Sequence, residues 1–117
     1  MRFLAVFKAV ETNEPPTPEH MAAMGELIRE MTEAGVLLAT EGCLPSAYGV
    51  RLRQADGKVT VTDGPFTESK EVIGGFALLQ CASMEEAVEW GKRFLAVVGD
   101  GETEIRQLHE APAMQSA

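Results

Sequence analysis

Basic residues are scarce in this chain. Ten Lys and Arg stand against 18 Asp and Glu, a formal net charge of −8 over 117 residues. Nucleic-acid phosphates and anionic membranes both require clustered cations, so this balance argues against either partner. Arg51 and Arg53 lie close enough in sequence to make a local basic patch. Cysteine is nearly absent too. Cys43 and Cys81 fit no zinc or redox spacing. Both fall in strand-like apolar segments and read as two small buried hydrophobes of a reducing compartment; a disulfide would require their strands to be neighbours.

Long hydrophobic runs are also missing. Nothing approaches the ~20 apolar residues of a transmembrane helix. The run from Phe3 to Phe7 is short, is followed by Lys8, and precedes no small-residue cleavage site, so it does not read as a secretory signal. A cytoplasmic protein is expected. Two histidines without Cys or carboxylate spacing to support them make no metal site. There is no phosphate loop, dinucleotide glycine motif or nucleophile elbow, and no cofactor is expected.

The apolar residues that are present have a readable order. Hydrophobic residues make up 45% of the chain and charged residues 24%, which is globular usage. At this length a chain buries roughly two-thirds of its unfolded surface, so residues 1–112 are expected to form one domain, with 113–117 as a flexible tail. Residues 2–10 alternate, but both faces are largely apolar: Phe3, Ala5, Phe7 and Ala9 on one, Leu4, Val6 and Val10 on the other. That is the pattern of a central strand buried on both sides. A helix follows, capped by Thr17, with Pro18 in its first turn and an apolar stripe of Met21, Met24, Leu27, Ile28 and Met31, ending at Gly35. Residues 36–41 predict a second strand. Residues 49–53 and 58–62 alternate strictly around Asp56-Gly57, a strong hairpin signal. Residues 76–81 predict another doubly apolar strand. Ser83 and Glu86 have capping-box spacing ahead of a second helix with Met84, Ala87, Val88, Gly91, Phe94 and Leu95 on its buried side. Residues 103–109 predict a polar edge strand.

The order is strand–helix–strand, inserted hairpin, strand–helix–strand. It predicts an α+β fold of the ferredoxin-like split βαβ type, an antiparallel sheet with two helices on one face. That topology puts the first strand of each half in the centre, and those are the two most apolar strands here. Two helices cover one face only. The other needs a second subunit, an apolar ligand or the hairpin folded over it, and a two-fold homodimer is the commonest solution.

The turn-rich stretch from Asp63 to Glu71 supplies the candidate site. Asp-Gly-Pro orders a tight turn, and Phe66 reads as an anchor into the core. Asp63 is the candidate general acid or base, given a pocket that raises its pKa; its plain alternative is to close the turn. Lys70, with Glu68 and Glu71, would orient an anionic ligand or pair with Asp63, or else form a solvated charge cluster of small energetic weight. His20 and His109 are possible partners of Asp63 that the sequence does not bring together. Tyr48, Arg51 and Arg53, around the hairpin, would line a ligand mouth or face solvent. The methionines read as packing.

Asp63-Gly64-Pro65-Phe66-Thr67-Glu68-Ser69-Lys70-Glu71 resembles the signature of the DGPF family, Asp-Gly-Pro-Phe-Ala-Glu-Thr-Lys-Glu, differing at Thr67 and Ser69. The likeness extends to Ala34-Gly35-Val36, Glu41-Gly42, the hairpin and Gly74-Gly75-Phe76. That family is grouped with the YCII-related proteins of the dimeric α/β-barrel class. The resemblance implies a dimer whose facing sheets form a barrel. The charged cluster beside a rigid turn and an apolar sheet points to a cofactor-independent enzyme or small-molecule binder, with catalytic candidates Asp63, Lys70 and Glu71 and binding candidates Glu68, His20, Tyr48 and Arg51; the resemblance implies an alternative, a non-catalytic module linked to a sigma factor. The doubly apolar sheet has a direct test: sedimentation at micromolar concentration should give about twice the 12.6 kDa chain mass, and a well-folded species at the single-chain mass would remove the argument.

Overall fold

Phe3 is wholly buried at the centre of the molecule and sets the position of the other elements. The computed structural model describes residues 1–12 and 14–110; the tail expected at 113–117 lies outside them. Strand β1 (Arg2–Ala9) carries Phe3 and leads to helix α1 (Pro18–Glu33) and strand β2 (Leu37–Gly42). A single 3₁₀ turn (Ser46–Tyr48) precedes the hairpin strands β3 (Val50–Ala55) and β4 (Lys58–Asp63). Strand β5 (Val72–Gln80), helix α2 (Met84–Val98) and strand β6 (Glu102–Gln107) complete the chain.

The main sheet has the order β2-β5-β1-β6, with every neighbouring pair antiparallel. This order is compatible with the ferredoxin-like arrangement and puts β1 and β5 in the middle. Phe3 pairs with Leu79 and Ala5 with Ala77. Leu27 and Met31 from α1 and Ala87 from α2 join Phe3, Ala5 and Leu79 in one core, so both helices lie on the same face of the sheet. Burying a side chain such as Leu79 or Leu27 contributes about 1.5–3 kcal/mol. The opposite face carries Leu4, Val6, Phe76 and Leu78. Among the described residues no layer covers it, because every residue of β3 and β4 is exposed and the hairpin does not fold across.

The local signals explain the boundaries. Thr17 caps α1 by accepting a hydrogen bond from the His20 backbone N–H at 3.1 Å. The Ser83 hydroxyl accepts from Glu86 N–H at 3.2 Å, while the Glu86 carboxylate accepts from Ala82 N–H, one residue earlier than a standard capping box has it. Asp56 and Gly57 both have positive φ (52° and 77°), the conformation a two-residue hairpin turn demands.

Four expectations need correction. Strand β5 begins at Val72, four residues earlier than expected, because Ile73 and Val72 continue the ladder opposite Lys8 and Ala9 past a bulge at Phe7/Lys8. Cys43 is exposed, beyond the end of β2; only Cys81 is buried, and burial there pushes its thiol pKa up. The α1 stripe is only partly covered: Met21 is 61% exposed and Ile28 37%. On α2, Met84 and Val88, 39% and 37% exposed, are likewise outside the core.

Two glycines should respond in opposite directions. A Cβ on Gly64 would stand 1.7 Å from the Ser46 carbonyl oxygen, so Gly64→Ala must displace backbone; a loss of about 3 kcal/mol or more is expected. Gly25 lies inside α1 with open space around its missing side chain, so Gly25→Ala should gain about 0.5–1 kcal/mol. Urea denaturation midpoints check both.

Candidate functional site

The candidate segment is built on the base of the hairpin. The Asp56-Gly57 turn fixes the register so that Leu52 faces Val61, Arg51 faces Thr62 and Val50 faces Asp63. Strand alternation then puts Asp63 and Arg51 on opposite faces of the hairpin. Gly64 N–H continues the ladder to Gly49 C=O at 2.9 Å, the Gly64–Pro65 bond is cis, and Phe66 N–H donates to the Ser46 hydroxyl at 3.2 Å. Ser69 N–H returns to Phe66 C=O at 3.0 Å and closes the next turn.

Ser46 is the buried polar centre of this region. Its hydroxyl donates to Glu11 Oε2 at 2.8 Å and its backbone N–H donates to Glu11 Oε1. Glu11 follows β1, so this pair ties the central strand to the hairpin base. Phe66 does not reach the main core as expected. Its half-buried ring packs against Gly49 and carries the Arg51 guanidinium 3.9 Å above its centre, a cation–π contact. Arg51 also pairs with Glu68 and donates to Ser69 Oγ at 2.7 Å. The Glu68 pKa is held below the usual carboxylate value by a backbone hydrogen bond and by the Arg51 guanidinium.

A cleft of about 550 Å³ opens between this loop and the end of the sheet. Its walls include Lys8, Tyr48, Arg51, Phe66 and Glu71. Lys8 also reaches Glu104 at 3.3 Å, and Glu104 has a lowered pKa because Arg106 and Lys8 hydrogen-bond its carboxylate. Two cations and one carboxylate therefore line a cleft in a chain of net charge −8. Tyr48, 77% exposed, presents a free phenol at the rim.

Three of the candidate residues, Tyr48, Arg51 and Glu71, share this cleft. Asp63, Glu68 and Lys70 are exposed and do not line it. His20 belongs to the first turn of α1 and His109 follows β6. Among the described residues no hydrogen bond or ion pair links Asp63 to Lys70 or to either histidine. Nor does any group of three or more His, Cys, Asp and Glu there stand together as metal ligands. No described helix is long and apolar enough to cross a membrane.

Sequence reasoning missed Glu11, Ser46 and Lys8. Nothing in the local pattern marks Ser46 or Glu11, because their partnership spans 35 residues. Lys8 carried one signal: it is the charged residue that interrupts an apolar strand.

The model of the YCII-related domain family matches residues 1–111 of the chain. An uncharacterized protein of Rhizobium meliloti (strain 1021) is 35% identical over 89 residues, which span 75% of this chain and 72% of that protein.

The Arg51–Glu68 pair should give the loop a pH signature. A carboxylate whose folded pKa is depressed contributes stability above its unfolded value, and the contribution is lost as pH falls through the folded value. Wild type should therefore exceed Glu68→Gln in urea midpoint at pH 7, and the gap should close as pH drops below 4.5, the ordinary value of that carboxyl.

Proposed function

The chain belongs to the YCII-related domain family, and from that footing we propose that it is a homodimeric small-molecule binder or cofactor-independent enzyme of the DGPF type. Its ligand occupies the cleft beside the Asp63–Glu71 loop. The observation that supports this reading best is the composition of the cleft: Lys8 and Arg51 supply positive charge, Tyr48 a phenol and Glu71 a carboxylate, around a void of ligand size. Lys8 and Arg51 are already paired with Glu104 and Glu68, so the cleft offers a polar small molecule directional donors and acceptors without a large excess of positive charge. Arg51 is held in place by Phe66, Glu68 and Ser69, so it meets a ligand already oriented. Asp63, at the rim on the other face of the hairpin, is the acid or base of this proposal and requires a ligand or a second chain to bring its carboxylate into play.

Two apolar surfaces support the dimer. One is the open sheet face with Leu4, Val6, Phe76 and Leu78. The other is the hairpin stripe of Val50, Leu52, Val59 and Val61, each 59–69% exposed. A two-stranded hairpin is marginal in water without a covering partner, and one second copy can cover both surfaces.

The hairpin stripe also favours a second reading, a non-catalytic module that docks on a sigma factor. The two diverge on whether the stripe is free. A pull-down from native extract that recovers a sigma factor with wild type, and not with Leu52→Glu, would favour the module; recovery of none would dismiss it.

The binder reading is tested by a thermal-shift screen of anionic and neutral metabolite-sized compounds on wild type, Asp63→Asn and Tyr48→Ala. A compound at a hundredfold excess over its Kd should stabilise wild type by about 2.7 kcal/mol and lose much of that shift in both variants. The reading fails if no compound stabilises wild type, or if every stabilising compound acts equally on all three proteins.

A further inference from the structure

The helices do not close down fully on the sheet. Between them lies a groove of about 420 Å³, lined by both helices and by residues of all four strands. The room comes from small residues on the inner face of the sheet. Ala5 and Ala77 face each other across β1 and β5, and Gly75 sits beside Phe7. Gly75 cannot be larger, since a Cβ there would meet the Glu41 carbonyl oxygen at 2.7 Å. The floor is thus kept low by backbone packing, while Met24 and Trp90 in the roof remain only half-buried.

A second observation points to an occupant. Thr103 on β6 pairs with Phe7, on the face that bears the helices, and lines the groove. Its hydroxyl oxygen is buried without a hydrogen-bond partner, the one such side-chain atom among the described residues. Native structures seldom leave a buried hydroxyl unpaired. The other threonine of the lining, Thr40, already donates to Phe76 C=O at 2.9 Å. No Lys or Arg lines the groove and its one charged residue is Glu41, so an anionic ligand would enter without a counter-ion, at heavy desolvation cost.

We propose that this groove is a second ligand site, distinct from the cleft at the loop, which takes a neutral, largely apolar and preferably aromatic molecule with one hydrogen-bonding group directed at Thr103. Methionine and aromatic side chains adapt to flat apolar ligands and contact them favourably. The two cavities lie on either side of a strip of backbone: Gly42 and Gly74 border the groove, Cys43 and Ile73 border the cleft, and Cys43 N–H donates to Gly74 C=O at 2.9 Å between them. The groove does not depend on the reading of the cleft.

The probe is N-phenyl-1-naphthylamine, a neutral apolar fluorophore with one N–H, compared with 8-anilino-1-naphthalenesulfonate, the same skeleton with a negative charge. The neutral probe should saturate at one molecule per chain, and the anionic one should bind at least tenfold more weakly. Ala77→Phe, which fills the floor, should abolish saturable binding; if that variant does not fold, Met24→Trp fills the roof at a half-buried position and decides the matter. Thr103→Val keeps the shape and should weaken the neutral probe severalfold. Linear, non-saturating emission overturns the proposal, as do equal affinity for the two probes and undiminished binding in the folded filled variants. Binding that appears only when the protein is diluted to single chains also overturns it, since a second copy would then fill the groove. Unchanged affinity in Thr103→Val overturns the role of that hydroxyl.

Discussion

The Glu11 carboxylate bound to Ser46 is the constraint on which the half of the molecule that carries the hairpin and the cleft depends. One carboxylate takes the backbone N–H and the hydroxyl of the same residue, and the same hydroxyl accepts from Phe66. The Ser46 carbonyl in turn receives Gly49 N–H at 2.9 Å and leaves no room for a side chain on Gly64. Four segments therefore meet at one buried serine: the residues after β1, the 3₁₀ turn, the hairpin base and the loop that begins at Gly64. Hydrogen bonds to an ionised group are shorter and stronger than neutral ones, which suits a junction where little apolar surface is available for burial.

That junction explains why the hairpin can project without a core of its own. Its two strands bury no residue, and its apolar stripe is open on one side. What orients it is its base, where the Gly64–Gly49 hydrogen bond, the Phe66–Arg51 stack and the Arg51–Glu68 pair fasten it to the loop. The cleft exists because this base stands away from the sheet. The groove arises differently, from an inner face kept small at Ala5, Gly75 and Ala77. A polar junction produces one cavity and sparse packing the other, which is why the first is lined by charge and the second is almost wholly apolar.

The parts of this design that were legible in the sequence are those set by short-range chemistry. Thr17 and Ser83 cap their helices, Asp56-Gly57 makes its turn, and the doubly apolar β1 and β5 take the central positions, because each signal acts over a few residues or along one strand. What escaped was decided at long range. Phe66 looked like a core anchor because it is large and apolar, yet Arg51, 15 residues earlier in the chain, provides the surface it packs on. Cys43 looked buried because it falls in a strand-like apolar segment, yet β2 ends at Gly42 and Cys43 is exposed just beyond it. Met21 shares the helical spacing of Leu27 and Met31 but is exposed near the start of α1, and pattern alone does not tell where a neighbouring layer stops.

The Asp63–Glu71 signature can now be divided by what each residue already does. Gly64 is required by the Ser46 carbonyl, Phe66 by the Arg51 guanidinium and the Gly49 backbone, and Glu68 and Ser69 by the Arg51 donors. Packing accounts for these without any ligand. Asp63, Lys70 and Glu71 are different: among the described residues none of their side chains takes part in a hydrogen bond or ion pair, and all three are exposed. A loop held this firmly would keep its shape with neutral residues at those three positions. Two carboxylates and one ammonium on a rigid frame, beside a cleft that also presents Lys8 and Tyr48, are therefore the part of the signature that folding leaves unexplained, and they are where chemistry should be sought. Glu71 alone already lines the cleft. Asp63 and Lys70 would join it through a ligand that spans the rim or through a second chain seated on the hairpin, so the questions of partner and of reaction meet at the same edge.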